Sequence, residues 1–140
     1  MRCTIITAFI LCFGGNPYTL GKMMIQQAIT LAQQFGDCLT QGNYSTAHTL
    51  LTAELQQQYA PETLQQTVKA MIDYGSGSIN QAIVMVDCLL TEWQYPPMEA
   101  NDVVWLYVSL EGEDFMEAVS VIICQGAGKL AIRWLEWGRP

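Results

Sequence analysis

The chain has 140 residues, of which 51% are hydrophobic and 14% charged, enough apolar material for one packed core and too much for a disordered chain. Formal net charge is −7, and beyond Lys22 all 13 acidic residues are set against Lys69, Lys129, Arg133 and Arg139. A surface of that sign repels phosphate backbones, which argues against nucleic-acid binding; it suits a basic partner, or serves solubility alone.

The chain opens with "MRCTIITAFILCFGGNPY", an apolar run from Ile5 to Phe13 behind a single Arg2. The run is too short to span a bilayer. Three readings stand: residues 1–15 are a signal peptide, translation starts at Met23 or Met24, or residues 1–22 are an arm packed on a single domain at 23–140. The expected compartment is cytoplasmic, with export as the alternative if the leader is cleaved. Cys3, Cys12, Cys38, Cys88 and Cys124 are odd in number and lack a C-x-x-C pair, so no disulfide framework or zinc site is expected, and no cofactor. Cys38, Cys88 and Cys124 fall in apolar patterns and are expected as buried thiols.

From Met23 to Leu39 apolar residues recur at three and four (Ala28, Leu31, Ala32, Phe35, Leu39), predicting a helix. Gly42-Asn43 breaks it, and Asn43 or Ser45 can cap a second helix carrying Ala47, Leu50, Leu51 and Leu55. "YAPETLQQTVKAMIDYG" opens a third at Pro61, buries Leu64, Val68 and Met71, and stops at Gly75 and Gly77.

After residue 78 the period drops to two. "INQAIVMVDCLLTEW" reads as one long strand, "QYPPMEAND" as a loop, Val103 to Cys124 as a hairpin, and Lys129 to Trp137 as a last strand. Helices segregated from strands make the chain α+β: N-terminal helices packed on a curved four-stranded antiparallel meander. A tight turn at Gly112-Glu113 would set Trp105 opposite Ser120, Tyr107 opposite Ala118 and Ser109 opposite Met116. A turn at Gly126-Ala127 would extend that face to Arg133, Leu135 and Trp137, leaving Val104, Leu106, Val108, Phe115, Val119, Val121, Ile132 and Trp134 on the other. Both faces are largely apolar, so helices cover one and a second subunit is the expected cover of the other, with a strongly curled sheet as the alternative.

The stretches "AQQFGDCLTQGNYSTAHTLLTAELQQQYAPETLQQTVKAM" and Ile79 to Trp137 resemble the nuclear transport factor 2-like superfamily over residues 24–138, chiefly through the "GNY..A" turn and "APETL". The resemblance implies a cystatin-like, cone-shaped α+β roll. It also implies either an enzyme or carrier acting on small cyclic compounds in the mouth of the cone (the polyketide-cyclase and isomerase branch), or a catalytically silent binding protein such as a bacterial immunity protein.

If the protein is an enzyme, the pocket candidates are Asp87, as an acid buried in "VMVDCLL", Tyr107, and His48, the single histidine. The ordinary alternatives are an outward-turned edge position and helix packing. Glu117 and Glu136 would oppose each other across strands as a carboxylate pair or as two solvated rim residues. Trp105, Tyr107, Arg133, Trp134 and Trp137 would form a dimer or pocket face, or fill the core. Glu111, Glu113, Asp114 and Glu117, joined by Glu99 and Asp102, would make an acidic end able to dock a basic protein. No phosphate loop or Ser-His-Asp order is present. The expectation is a non-catalytic, dimeric, acidic protein-binding module of the immunity type, with an enzyme or apolar-ligand carrier as the alternative.

Overall fold

A computed structural model describes residues 17–75, 77–114 and 116–138. The apolar run from Ile5 to Phe13, Phe115 and Arg139 lie outside these residues.

The first helix, α1 (Pro17–Gln41), begins six residues before the expected Met23, so residues 17–22 belong to it. The buried stripe is Ala28, Ala32, Phe35 and Leu39. Gly42, at φ +74°, ends the helix, and Asn43 N–H reaches back to the Cys38 carbonyl at 2.8 Å. The expected second helix is two: α2 (Tyr44–Thr49) and α3 (Ala53–Gln58). Each has a side-chain cap, Asn43 and Thr52 respectively. Between them the backbone at Leu50–Thr52 leaves the helix to pair with Ile132. The helix α4 (Pro61–Tyr74) follows, burying Leu64 and Val68.

The sheet is an antiparallel meander in the order β1 (Gln81–Val84), β2 (Asp102–Glu111), β3 (Met116–Gly126) and β4 (Lys129–Trp137). The chain is therefore α+β, as expected. The long strand expected from Ile79 to Trp93 is cut short: β1 stops at Val84, Val86–Cys88 forms a 3-10 turn, and only Leu90 returns to pair with Trp105. Helices pack on one face of the sheet. Its core joins Phe35, Leu39 and Leu64 to Val104, Leu106, Val108, Leu110, Val119, Val121, Ile123 and Ile132. Gly36 lets α1 pack closely on β1 and β2, against the Ala82 and Val108 side chains.

The β2–β3 register differs from expectation by two residues. Glu111 pairs with Met116, so four positions, not two, lie between the paired residues; Trp105 then stands opposite Ile122, Tyr107 opposite Ser120 and Ser109 opposite Ala118. Because side chains alternate with period two, this slip changes every partner on β3 and leaves every face unchanged. On β4 the turn sits one residue later than expected, at Ala127-Gly128, with φ of +51° and +79°. Two positive-φ central residues give the type I′ geometry that matches strand twist. A register break between Ile122 and Ile123 leaves Arg133 as the unpaired residue of a bulge. The bulge reverses the end of β4: Trp134, expected on the face opposite Trp105, pairs with Ile122 on the Trp105 face, while Leu135 and Trp137, expected on the Trp105 face, turn toward the helices.

Candidate functional site

The outer face of the sheet, opposite the helices, is built from cross-strand rows. Trp105, Ile122 and Trp134 form one row across β2, β3 and β4; Tyr107, Ser120 and Glu136 form the next. Ile122 has 0% of its surface exposed although no helix covers it, while the two tryptophans beside it are half-buried. Large aromatic residues on β2 and β4 thus close over small and branched ones on β3 between them, which is how cross-strand packing dries a sheet face. Exposed Met116 and Leu90 border this surface on β3 and beside β2. Of the residues grouped as a dimer or pocket face, Trp105, Tyr107 and Trp134 lie here. Trp137 is not: it packs inward with its ring 6.3 Å from that of Tyr59.

Arg133 is the organising cation. Its bulge on β4 and a second one at Val103, between Asp102 and Val104 on β2, flank β3 near Cys124. The two irregularities aim Arg133 and Asp102 at each other across β3. Arg133 Nε and Nη2 donate to the two Asp102 carboxylate oxygens at 2.5 and 2.6 Å, a bidentate fork. Nη2 also donates to the Pro97 carbonyl at 3.2 Å, and Nη1 lies 2.8 Å from Glu99. The Asp102 side chain is fully buried and that of Arg133 is 16% exposed. One residue therefore ties the β1–β2 connection to β4. Burial, then the charge of Asp102, pushes the Cys124 thiol above its ordinary pKa, with Arg133 pulling the other way. Asp102 and Glu99 are thus spent internally. They stand at the opposite end of β2 from Glu111, about 30 Å away for a ten-residue strand. The expected single acidic end is two separate sites.

At the β2–β3 end, Glu113 and Asp114 are exposed and line a small recess with Gly77, Ser78 and Asn80. Glu111 is oriented by Ser109, whose hydroxyl donates to it at 2.9 Å. Glu117 pairs with Leu110, on the helix side of the sheet, and Glu136 pairs with Ser120 on the outer side. The carboxylate pair expected from Glu117 and Glu136 is not formed, because the bulge at Arg133 places the two on opposite faces. Among the described residues, the ion pairs are those of Arg133, and none involves Glu113 or Asp114.

The three pocket candidates do not converge. Asp87 is exposed on the 3-10 turn, not buried in a strand. Tyr107 is on the outer sheet face. His48 sits on α2, its Nε2 3.2 Å from the Gln56 carbonyl, while Gln56 Nε2 donates back to the His48 carbonyl at 3.0 Å; this reciprocal pair locks α2 to α3. The helix-side interior, where a conical pocket would lie, is filled by Phe35, Leu39, Leu64, Leu106 and Ile132. Two larger hollows are surface clefts: one of about 710 Å³ along α1 and β1, and one of about 630 Å³ around Arg133. Cys88, expected buried, is exposed on the 3-10 turn that replaced the strand. Among the described residues, no group of His, Cys, Asp and Glu could hold a metal ion, and no helix is long and apolar enough to cross a membrane.

The elements define an α+β domain whose exposed chemistry is an aromatic sheet face and an acidic loop. Comparison with family models, curated proteins and solved structures finds no match to the chain.

Proposed function

We propose that this chain is a non-catalytic protein-binding domain that pairs with a second copy through the outer sheet face and presents its acidic β2–β3 end to a basic partner, in the manner of an immunity-type module. The observation that carries the reading is the row Trp105–Ile122–Trp134: half-exposed aromatics around a dry aliphatic centre, on the face that the chain's own helices leave open. Aromatic anchors around a desolvated centre are the usual makeup of an energetic interface, and an isologous pair would bury both copies of the row together. The enzyme reading draws less support, since its candidate residues lie on three separate surfaces and the interior is filled.

Sedimentation velocity tests the pairing. The protein at tens of micromolar is expected to sediment as a dimer, and Trp105→Ala with Trp134→Ala as a folded monomer. A wild-type monomer at that concentration would overturn it.

A further inference from the structure

An open sheet has two edge strands, each with a row of outward N–H and C=O groups that another strand could take. In this molecule both edges are met from the helical layer. On β4, Ile132 N–H donates to the Leu50 carbonyl at 2.9 Å and its carbonyl accepts from Thr52 N–H at 2.8 Å. One residue bonding the carbonyl of one neighbour and the N–H two positions further is the parallel-ladder pattern, and Leu51 pairs with Ile132 in parallel sense.

The outward edge of β1 shows the same pattern with a side chain in place of a strand. Gln33 on α1 donates from Nε2 to the Ala82 carbonyl at 2.7 Å and accepts at Oε1 from Val84 N–H at 3.3 Å. Its carboxamide makes the two bonds that a residue of a parallel neighbour centred on Ile83 would make. The amide is also held in the one useful orientation. Asp37, one helical turn on, accepts from the same Nε2 at 2.9 Å, which fixes the nitrogen as the double donor and leaves the oxygen for Val84. Ile83 points away from this pair and is 38% exposed, an apolar residue on a short edge with no charge of its own to discourage pairing.

We infer that Gln33, oriented by Asp37, stands in for a fifth strand and closes the β1 edge against strand addition by a second copy of this chain. Gln33→Met keeps the helix and the side-chain length and removes both bonds. The Val84 amide is then expected to exchange hydrogen roughly tenfold faster. The sedimenting mass is expected to rise with concentration to at least twice that of wild type, whatever the wild-type state. Adding Ile83→Lys to Gln33→Met is expected to restore the wild-type mass, because a charge on the edge repels its copy. Gln33→Asn, one methylene short of the edge, serves as the test if Gln33→Met loses its cooperative melt. Unchanged Val84 exchange, unchanged mass, or a mass increase that Ile83→Lys does not reverse would each overturn the inference.

Discussion

Gly36 and Ala82 set the distance between the long helix and the sheet: a Cβ placed on Gly36 would stand 2.6 Å from the Ala82 Cβ and 3.0 Å from Val108 Cγ1. Neither neighbour is a flexible side-chain tip. Alanine at a helix-interior glycine normally stabilises by about 1 kcal/mol. Here the overpacking, about 1–3 kcal/mol, opposes that gain and exceeds it. Gly36→Ala is expected to lower the urea midpoint, and Gly36→Ala with Ala82→Gly to recover part of the loss, since the two positions touch.

Arg133 is expected to be the costliest surface-reaching residue to truncate. Arg133→Met leaves the fully buried Asp102 carboxylate without its counter-ion, a loss of about 3–5 kcal/mol in chemical denaturation. Arg133→Lys recovers little, because an ammonium cannot reproduce the fork or reach Pro97 and Glu99 together. Arg133→Met with Asp102→Leu is expected to be more stable than Arg133→Met alone, because no buried charge is then stranded.

The described thiols should separate by reactivity. Burial, then the charge of Asp37, raises the Cys38 pKa, and burial first raises that of Cys124, whereas Cys88 is exposed. Peptide mapping after a brief iodoacetamide pulse at pH 8 is expected to find Cys88 modified well before the other two, because thiolate is the attacking form. The linkage has a definite sign. A thiol whose folded pKa lies above its unfolded value contributes stability that is present below the unfolded pKa and lost as pH rises through the folded one. Stability should therefore decline above about pH 8.5, the ordinary thiol value. Cys38→Ala should reduce the decline.

The acidic loop is expected to act through charge. Glu113→Lys with Asp114→Lys changes two exposed, unpaired residues, so melting should be unaffected. In native mass spectrometry of tagged protein from its own host at low salt, wild type is expected to carry a basic protein that the variant lacks. Equal capture by both would remove the loop from the proposed interface.

Helix α4 and the strand bodies were legible because their periodicity was strong: Leu64 and Val68, or Val104 through Leu110, take the sides that their spacing predicts. The break between α2 and α3 was hidden because Leu50, Leu51 and Leu55 keep a helical rhythm, while the interruption comes from Ile132, eighty residues away, claiming the backbone at Leu50 and Thr52. The run after Ile79 has strand composition throughout, and nothing local distinguishes Val84 from the 3-10 turn at Val86–Cys88. The outer aromatic face was partly legible, but the bulge at Arg133 exchanged Trp134 with Leu135 and Trp137. A bulge that depends on an ion pair with Asp102 leaves no mark in alternation. Gln33 is one of several glutamines in the sequence of α1, and its role exists only where α1 passes β1.

The alternation of β3 sets a parity rule for its pairing with β2. Slips of β3 past Glu111 that come in twos would keep Val119, Val121 and Ile123 directed at the helices. A slip of one would turn Ile122 and Ser120 inward and the core valines out. A residue gained or lost between Glu111 and Met116 should therefore be taken up by the loop, or be accompanied by a new bulge that restores the count.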